Sequence, residues 1–177
     1  MLDTYKFIEK YKRISIIGME KNVGKTTLLN KLIADIGTNK KLGLTSIGRD
    51  GEDIDVVTNT DKPRIYVRRG SIIATGRNCL AKCDITKEIL YVTDFTTPMG
   101  SIVIVRALSD GYVDIAGPSY NKQVKIVVEL MEKFGSEISI VDGALGRKST
   151  AISDVSEATI LSTGAALSLD MLKVVEE

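Results

Sequence analysis

The stretch from Ile14 to Leu29, ISIIGMEKNVGKTTLL, restricts the possible folds more than any other part of the sequence. Its first part is rich in isoleucine and leads to Gly18, a pattern that predicts a buried strand ending in a glycine turn. After Gly24 the apolar residues take helical spacing and predict one buried helix face, formed by Leu28, Leu29, Leu32, Ile33 and Ile36. A strand, a short connection and an amphipathic helix in this order are typical of an α/β fold with a mainly parallel sheet.

The residues where this helix begins, Gly24-Lys25-Thr26-Thr27, predict a phosphate-binding loop. The first turn of a helix has N–H groups without partners and a partial positive charge, so it attracts phosphate. Gly24 lets phosphates approach the backbone, Lys25 can reach the β- and γ-phosphates as the predicted catalytic lysine, and the Thr26 hydroxyl is placed to bind Mg²⁺. An ordinary glycine turn beside a surface lysine is the alternative interpretation. The predicted nucleotide-binding residues are Glu20, Lys21, Asn22, Val23, Gly24, Lys25, Thr26 and Thr27.

The residues Ile138, Ile140 and Val141 are β-branched and predict another strand, which ends in Asp142-Gly143. A carboxylate at the carboxyl end of a buried strand beside a phosphate loop is the Walker B position, which binds Mg²⁺ directly or through water. Asp142 is therefore a predicted metal ligand together with Thr26. A strand-ending Asp-Gly pair also makes simple turns, which is the competing explanation.

An acidic segment, RDGEDID at positions 49–55, follows the strand predicted to end at Gly48. Open parallel sheets build their sites at the carboxyl ends of strands, so this segment is a candidate for binding Mg²⁺ or orienting the attacking group. Asp50 is the first choice, as a catalytic residue and a metal ligand, followed by Asp53 and Glu52. A solvated acidic loop would look the same in sequence.

The rest of the chain completes one predicted domain spanning residues 1–177. Helical spacing places Val124, Val127, Val128, Met131 and Phe134 on one face of a helix, a further strand covers 158–161, and a last helix covers 166–177. Between the second strand and the 124–134 helix, about 64–115, short β-type runs separated by glycine-bearing turns predict an antiparallel β insertion. These runs are Arg64–Val67, Ser71–Thr75, Lys87–Val92, Ser101–Arg106 and Gly111–Ile115. The domain could be a trimmed piece of a longer protein.

Composition excludes several classes of function. A net charge of +1 over 177 residues gives no bulk field for nucleic acid or a membrane surface. No apolar run approaches the ~20 residues that span a bilayer and the start has no signal-peptide core, so we expect a cytoplasmic protein. The chain contains no histidine, which rules out a histidine base and any Ser–His or Cys–His pair. Cys79 and Cys83 have a C-x3-C spacing that fits neither zinc pairs nor a thioredoxin motif.

The glycine spacing departs from the usual G-x-x-x-x-G-K-[ST] motif, because position 19 is Met19 and the glycine stands at Gly18. Gly-x5-Gly-Lys-Thr and the later VDGALG resemble dethiobiotin synthetase, whose broader relatives include the ParA and MinD ATPases and the G-protein chaperones of cobalamin enzymes. ParA and MinD carry a second lysine where this chain has Glu20, so their lysine-swapping dimer is not expected. No Asn-Lys-x-Asp guanine motif is present, which favours ATP over GTP, although GTP stays open.

Five segments taken together, GMEKNVGKTT, SIGRDGED, KPRIYVRRGSIIATG, SDGYVDIAGPS and VDGALGRKS, resemble the KamB-like P-loop reactivase subunits of lysine 5,6-aminomutase. The resemblance covers most of the chain. It implies an ATPase that uses ATP and Mg²⁺ to let fresh cobalamin replace damaged cofactor in an adenosylcobalamin-dependent aminomutase. It also implies that mutase as a partner, with a second reactivase subunit and a homodimer as further candidates.

Two other functions remain open. A dethiobiotin-synthetase-like ligase or kinase would use Lys25, Thr26 and Asp142 to activate a small carboxylate or carbamate with ATP. A nucleotide-gated scaffold with negligible turnover would fit the lack of histidine.

Overall fold

The computed structural model describes residues 6, 8–19, 23–48, 64–144, 155–163 and 172–173. The strands are β1 (Arg13–Gly18), β2 (Leu42–Ser46), β3 (Ile65–Val67), β4 (Ile72–Gly76), β5 (Lys87–Thr97), β6 (Gly100–Ala107), β7 (Gly111–Val113), β8 (Ile138–Ala144) and β9 (Ala158–Ser162). The helices are α1 (Lys25–Ile36), α2 (Arg77–Leu80) and α3 (Asn121–Lys133). No helix in these described ranges is long and apolar enough to cross a membrane.

A seven-stranded sheet in the order β5-β6-β4-β2-β8-β1-β9 forms the centre of the molecule. The five strands from β4 to β9 in this order run parallel to one another, whereas β6 and β5 extend the sheet antiparallel at one edge. This confirms the predicted α/β class with a mainly parallel sheet. Because β1 lies between β8 and β9, the end of β1 is flanked by two other carboxyl ends.

Helices α1 and α3 cover opposite faces of the sheet. On one face, Ile14 and Ile16 of β1 pack with an apolar stripe of α1 made of Leu29, Leu32, Ile33 and Ile36. On the other face, Val141 of β8 packs with the α3 stripe of Val124, Val127, Val128 and Met131. Each fully buried side chain of this size contributes about 1.5–3 kcal/mol of transfer free energy, so the two helices fix the sheet from both sides.

Most strands of the predicted β insertion belong to the central sheet, which the sequence interpretation did not anticipate. The antiparallel strands themselves are confirmed, since β5 pairs with β6 and β6 with β4. However, β4 also pairs in parallel with β2, and all five of its residues are buried. A continuous buried run is what a strand covered on both faces requires, and this explains why β4 lies inside the sheet. Only β3 and β7 form a separate two-stranded ribbon.

The segment 114–118 crosses the carboxyl ends of β2 and β4 and leads into the loop before α3. Side-chain hydroxyls hold this segment in addition to backbone bonds: Thr75 Oγ1 donates to the Asp114 carbonyl at 3.1 Å and accepts the Ala116 N–H at 2.9 Å. Ser46 Oγ accepts the Gly117 N–H at 2.9 Å. β7 itself ends at Val113, opposite the first residue of its partner β3, Ile65, rather than at the predicted Ile115.

Candidate phosphate-binding site

The carboxyl ends of β1, β2, β8 and β9 meet at one edge of the sheet. In the strand register Ile16 of β1 and Ser46 of β2 both stand beside Asp142 of β8, and Gly18 stands beside Ala144. The connection from β1 to α1 therefore begins on the strand next to Asp142. This is the edge at which open parallel sheets place their sites.

Gly24 forms the junction between this connection and α1. It has a left-handed backbone with φ 81°, which glycine adopts without strain, and it is exposed. Its carbonyl accepts the first helical hydrogen bond, from the Leu28 N–H at 2.9 Å. Among the described residues no side chain caps the helix, and its first turn contains no acidic residue that would offset the partial positive charge of the helix start.

The Lys25 side chain folds back across the end of β1. A Cβ atom built on Gly18 would lie 2.7 Å from both Lys25 Cδ and Lys25 Nζ, and 2.9 Å from Cγ. Only a residue without a side chain can occupy position 18 while the lysine takes this path. The structure thus gives a physical reason for glycine at position 18: the stem of the helix-start lysine lies over this glycine, and Met19 begins the connection beyond it.

Asp142 faces the side of the sheet that α1 covers. Side chains alternate along a strand, and Ile140, two residues earlier, lies in the cluster that contains the α1 stripe. The paired residue Ile16 lies in the same cluster. The Asp142 side chain is half-buried, and its main-chain carbonyl accepts the Ile47 N–H at 2.7 Å, which fastens the residue after β2 to the end of β8.

Ser162, at the carboxyl end of β9, contacts the connection at two points. Its hydroxyl donates to the Val23 carbonyl at 2.6 Å, and its main-chain carbonyl accepts the Met19 N–H at 3.1 Å. Sequence reasoning missed this residue. The hydroxyl bond joins positions 139 apart in the chain, and no local pattern encodes such a contact.

The structure places five of the predicted nucleotide-binding residues together at the start of α1. Val23 is buried, Lys25 and Thr26 are half-buried, and Gly24 and Thr27 are exposed. The other predicted residues lie outside the described part of the chain; they are Glu20, Lys21, Asn22 and Asp50, with the alternatives Glu52 and Asp53. Within the described ranges no group of three His, Cys, Asp or Glu side chains could hold a metal ion.

A polar cleft of about 270 Å³ lies at the opposite, amino-terminal ends of the parallel strands, next to the first residues of β2 and β4. It is lined by 37–41, 69–71 and Glu137. Glu137 accepts from Lys41 N–H at 2.9 Å and from Lys40 Nζ at 3.1 Å, and these bonds lower the pKa of its carboxyl. The cleft adjoins the carboxyl end of α1, where the helix dipole is negative, whereas the start of α1 has the positive end of the dipole.

Comparisons with protein-family models, with curated proteins and with solved structures found no significant match for this chain.

Proposed function

We propose that this chain binds a nucleoside triphosphate with Mg²⁺ at the connection between β1 and α1, and that it hydrolyses ATP there. The observation that carries the proposal is Lys25 folded across Gly18 at the start of α1, with Asp142 on the adjacent strand and on the sheet face that α1 covers. Positive and negative groups that a magnesium triphosphate needs are thus combined at one sheet edge.

The charges at this edge match those of the ligand. A triphosphate is strongly anionic, and the N–H groups of the first α1 turn together with the Lys25 ammonium would attract it. Thr26 and Asp142 supply hard oxygen donors, the type that Mg²⁺ prefers. Mg²⁺ is bound in such sites by one or two protein oxygens plus phosphate oxygens and water, so Thr26 and Asp142 would suffice as the protein's ligands. When bound, the ion neutralises charge on the phosphate oxygens.

Hydrolysis in a chain without histidine depends on positioning and electrostatic stabilisation. Lys25 would stabilise the negative charge that spreads over the transferred phosphoryl group, from the path for which Gly18 leaves room. Asp50 remains the proposed group for orienting the attacking water.

The proposed biological role is reactivation of an adenosylcobalamin-dependent aminomutase by exchange of damaged cobalamin, and it rests on the sequence resemblance. One feature supports a protein partner. The edge strand β5 exposes Ile89 (63%), Val92 (54%) and Tyr91 (46%), and within the described ranges no strand pairs with its outer edge. Neighbouring exposed apolar side chains on a free sheet edge are typical of a protein-binding surface. We propose this edge as the docking surface for the mutase.

A dethiobiotin-synthetase-like ligase is the second candidate. The Gly18 spacing, with Lys25 lying over the first glycine, favours it because the same Gly-x5-Gly-Lys-Thr spacing occurs in that enzyme. Such an enzyme would release phosphate only with a small carboxylate or amine substrate, whereas the reactivase would respond to the mutase.

The test combines binding and turnover. Affinity for Mg²⁺-ATP is measured by calorimetry, and phosphate release is measured alone, with an adenosylcobalamin aminomutase, and with a panel of small carboxylates and amines. Lys25→Ala should abolish both binding and turnover. Lys31→Ala, a matched change at an exposed lysine of the same helix whose Nζ pairs with Asp35, should leave both unchanged. Wild-type protein that does not bind ATP, or Lys25→Ala protein that turns over normally, would contradict the proposal.

A further inference from the structure

The connection between β1 and α1 is held at both ends by one residue of a third element. Ser162 of β9 accepts the Met19 N–H through its carbonyl and donates its hydroxyl to the Val23 carbonyl, at 3.1 and 2.6 Å. Val23 is 7% exposed and Ser162 is 9% exposed, so water competes little for this hydroxyl bond. Residues 19 and 23 bracket the connection, and Gly24 follows directly.

We infer that Ser162 is a positioning residue for the phosphate-binding connection: its hydroxyl holds Val23, and through Val23 it sets the direction of the N–H groups at the start of α1. The inference rests on the proposed function and adds a residue to that site from a strand that sequence reasoning had not linked to it.

The placement of the bond is what gives it this role. Gly24 joins the connection to α1, so a rotation of its backbone changes the direction of the first α1 turn relative to the end of β1. The peptide that joins Val23 to Gly24 carries the carbonyl which Ser162 binds. Fixing that carbonyl fixes the plane of the peptide, and with it the Gly24 N–H. The bond therefore acts on the donors that would face phosphate, while the sheet pairing of β9 with β1 is made by the backbone alone.

Other buried hydroxyls of the same sheet provide a control. Ser136 and Ser139 bond to each other at 3.1 Å, and both lie at the amino end of β8, away from the connection. Ser139→Ala removes a buried hydroxyl from the same sheet without touching Val23. This variant distinguishes the general effect of losing a buried hydroxyl from the specific effect of losing the Ser162 hydroxyl.

The experiment measures two quantities in wild type, Ser162→Ala, Ser162→Thr and Ser139→Ala. The first is hydrogen exchange, by NMR and without nucleotide, of the Leu28 amide, which bonds the Gly24 carbonyl at 2.9 Å. The second is the affinity for Mg²⁺-ATP. Loss of one net hydrogen bond should speed Leu28 exchange and weaken nucleotide binding by about 3- to 10-fold each in Ser162→Ala. Ser162→Thr, which keeps the hydroxyl, should restore both, and Ser139→Ala should change neither.

The outcomes are distinct. Leu28 exchange and ATP affinity in Ser162→Ala that equal wild type would overturn the positioning role, as would an equal effect of Ser139→Ala. If Ser162→Ala does not fold, Ser162→Cys, with a similar shape and a weak donor, takes its place under the same criteria. Wild-type protein that binds no nucleotide would overturn only the proposed function. The exchange of the Leu28 amide tests the Ser162–Val23 hydrogen bond without a ligand, so it would still decide the positioning role.

Discussion

Replacing Gly18 by alanine tests how Lys25 is positioned. The new methyl group would lie 2.7 Å from Lys25 Cδ and Nζ, well inside van der Waals contact, so one of the two must move. The contacted atoms belong to the outer part of a flexible side chain, which can turn away at little cost. Gly18 does not have a positive φ, and alanine suits a strand better than glycine, so the fold should tolerate the change within about 1 kcal/mol.

The cost should instead be seen in nucleotide binding. A lysine that has left its path over Gly18 no longer offers its ammonium to the phosphates, and a hydrogen bond to a charged group is worth about 1.5–3 kcal/mol. Since about 1.4 kcal/mol corresponds to a factor of ten, Gly18→Ala should bind Mg²⁺-ATP roughly 10- to 100-fold more weakly than wild type. Its midpoint of urea unfolding should stay close to that of wild type.

Gly143→Ala is the matched control, on the strand beside β1. A Cβ there would meet its nearest atoms, Ile47 Cδ1 and the Ile16 carbonyl oxygen, at 3.7 and 3.8 Å, which are ordinary contacts. Calorimetric titration of both variants should therefore show loss of affinity in Gly18→Ala only. Wild-type affinity in Gly18→Ala, in a preparation where Lys25→Ala fails to bind, would show that the path of the lysine over Gly18 is unimportant.

Three further predictions concern stability and reactivity. Leu32→Ala, at a side chain with 0% exposure on the α1 stripe, should lower the free energy of unfolding by about 2–5 kcal/mol in urea denaturation, and a loss below 1 kcal/mol would contradict the packing described for α1. Glu132→Gln should cost about 1 kcal/mol, because it weakens a two-bond pair in which Arg13 Nε and an Nη lie 2.7 and 2.8 Å from the carboxylate. An arginine is charged at neutral pH in any case, and the hydrogen bond to Glu132 raises the pKa of Arg13 further, so the cost should persist from about pH 6 to 9. An unchanged stability would refute the pair's contribution. Burial raises the pKa of the Cys83 thiol, so its alkylation by iodoacetamide should reach half-maximal rate at a higher pH than that of a free cysteine peptide, and a midpoint at or below the peptide's would contradict the half-buried position.

Periodic patterns predicted the local elements well. The α1 face was expected to contain Leu28 with the four leucine and isoleucine residues that the structure buries, and only Leu28 remains partly exposed. The predicted α3 face agrees in the same way: Val124, Val127, Val128 and Met131 are buried, and Phe134 is half-buried directly after the helix. These signals succeed because the residues that define one buried face of a helix are separated by three or four positions and can be read within a short window.

Strand pairing could not be read in this way. The sequence 71–75 shows an apolar run but not its neighbours, and β4 takes β2, a strand about 30 positions earlier, as its parallel partner. The long edge strand β5 extends beyond the predicted Val92 to Thr97, with irregular pairing between Ile89 and Tyr91 and between Val92 and Thr96. Such bulges depend on the partner strand rather than on local propensity.

Within the candidate site, the residue types could be predicted from the sequence, but the tertiary contacts that hold these residues in place could not. Glycine, lysine and threonine at a helix start, and an aspartate at a strand end, have recognisable spacing. The contact of Lys25 with Gly18 and the bond of Ser162 to Val23 are set by tertiary packing. The first explains why position 18 is a glycine, and the second shows what holds the end of the connection.

The most direct test of the central claim is chemical labelling with an acyl-phosphate derivative of ATP, which transfers its acyl group to a lysine near the bound phosphates. Peptide mass spectrometry of the wild-type protein should find Lys25 as the main labelled residue, and excess Mg²⁺-ATP should suppress the label. Lys40 and Lys41 line the cleft at the amino-terminal ends of the strands. A triphosphate site at the start of α1 would be contradicted if either of them were labelled while Lys25 stayed unmodified and ATP did not compete.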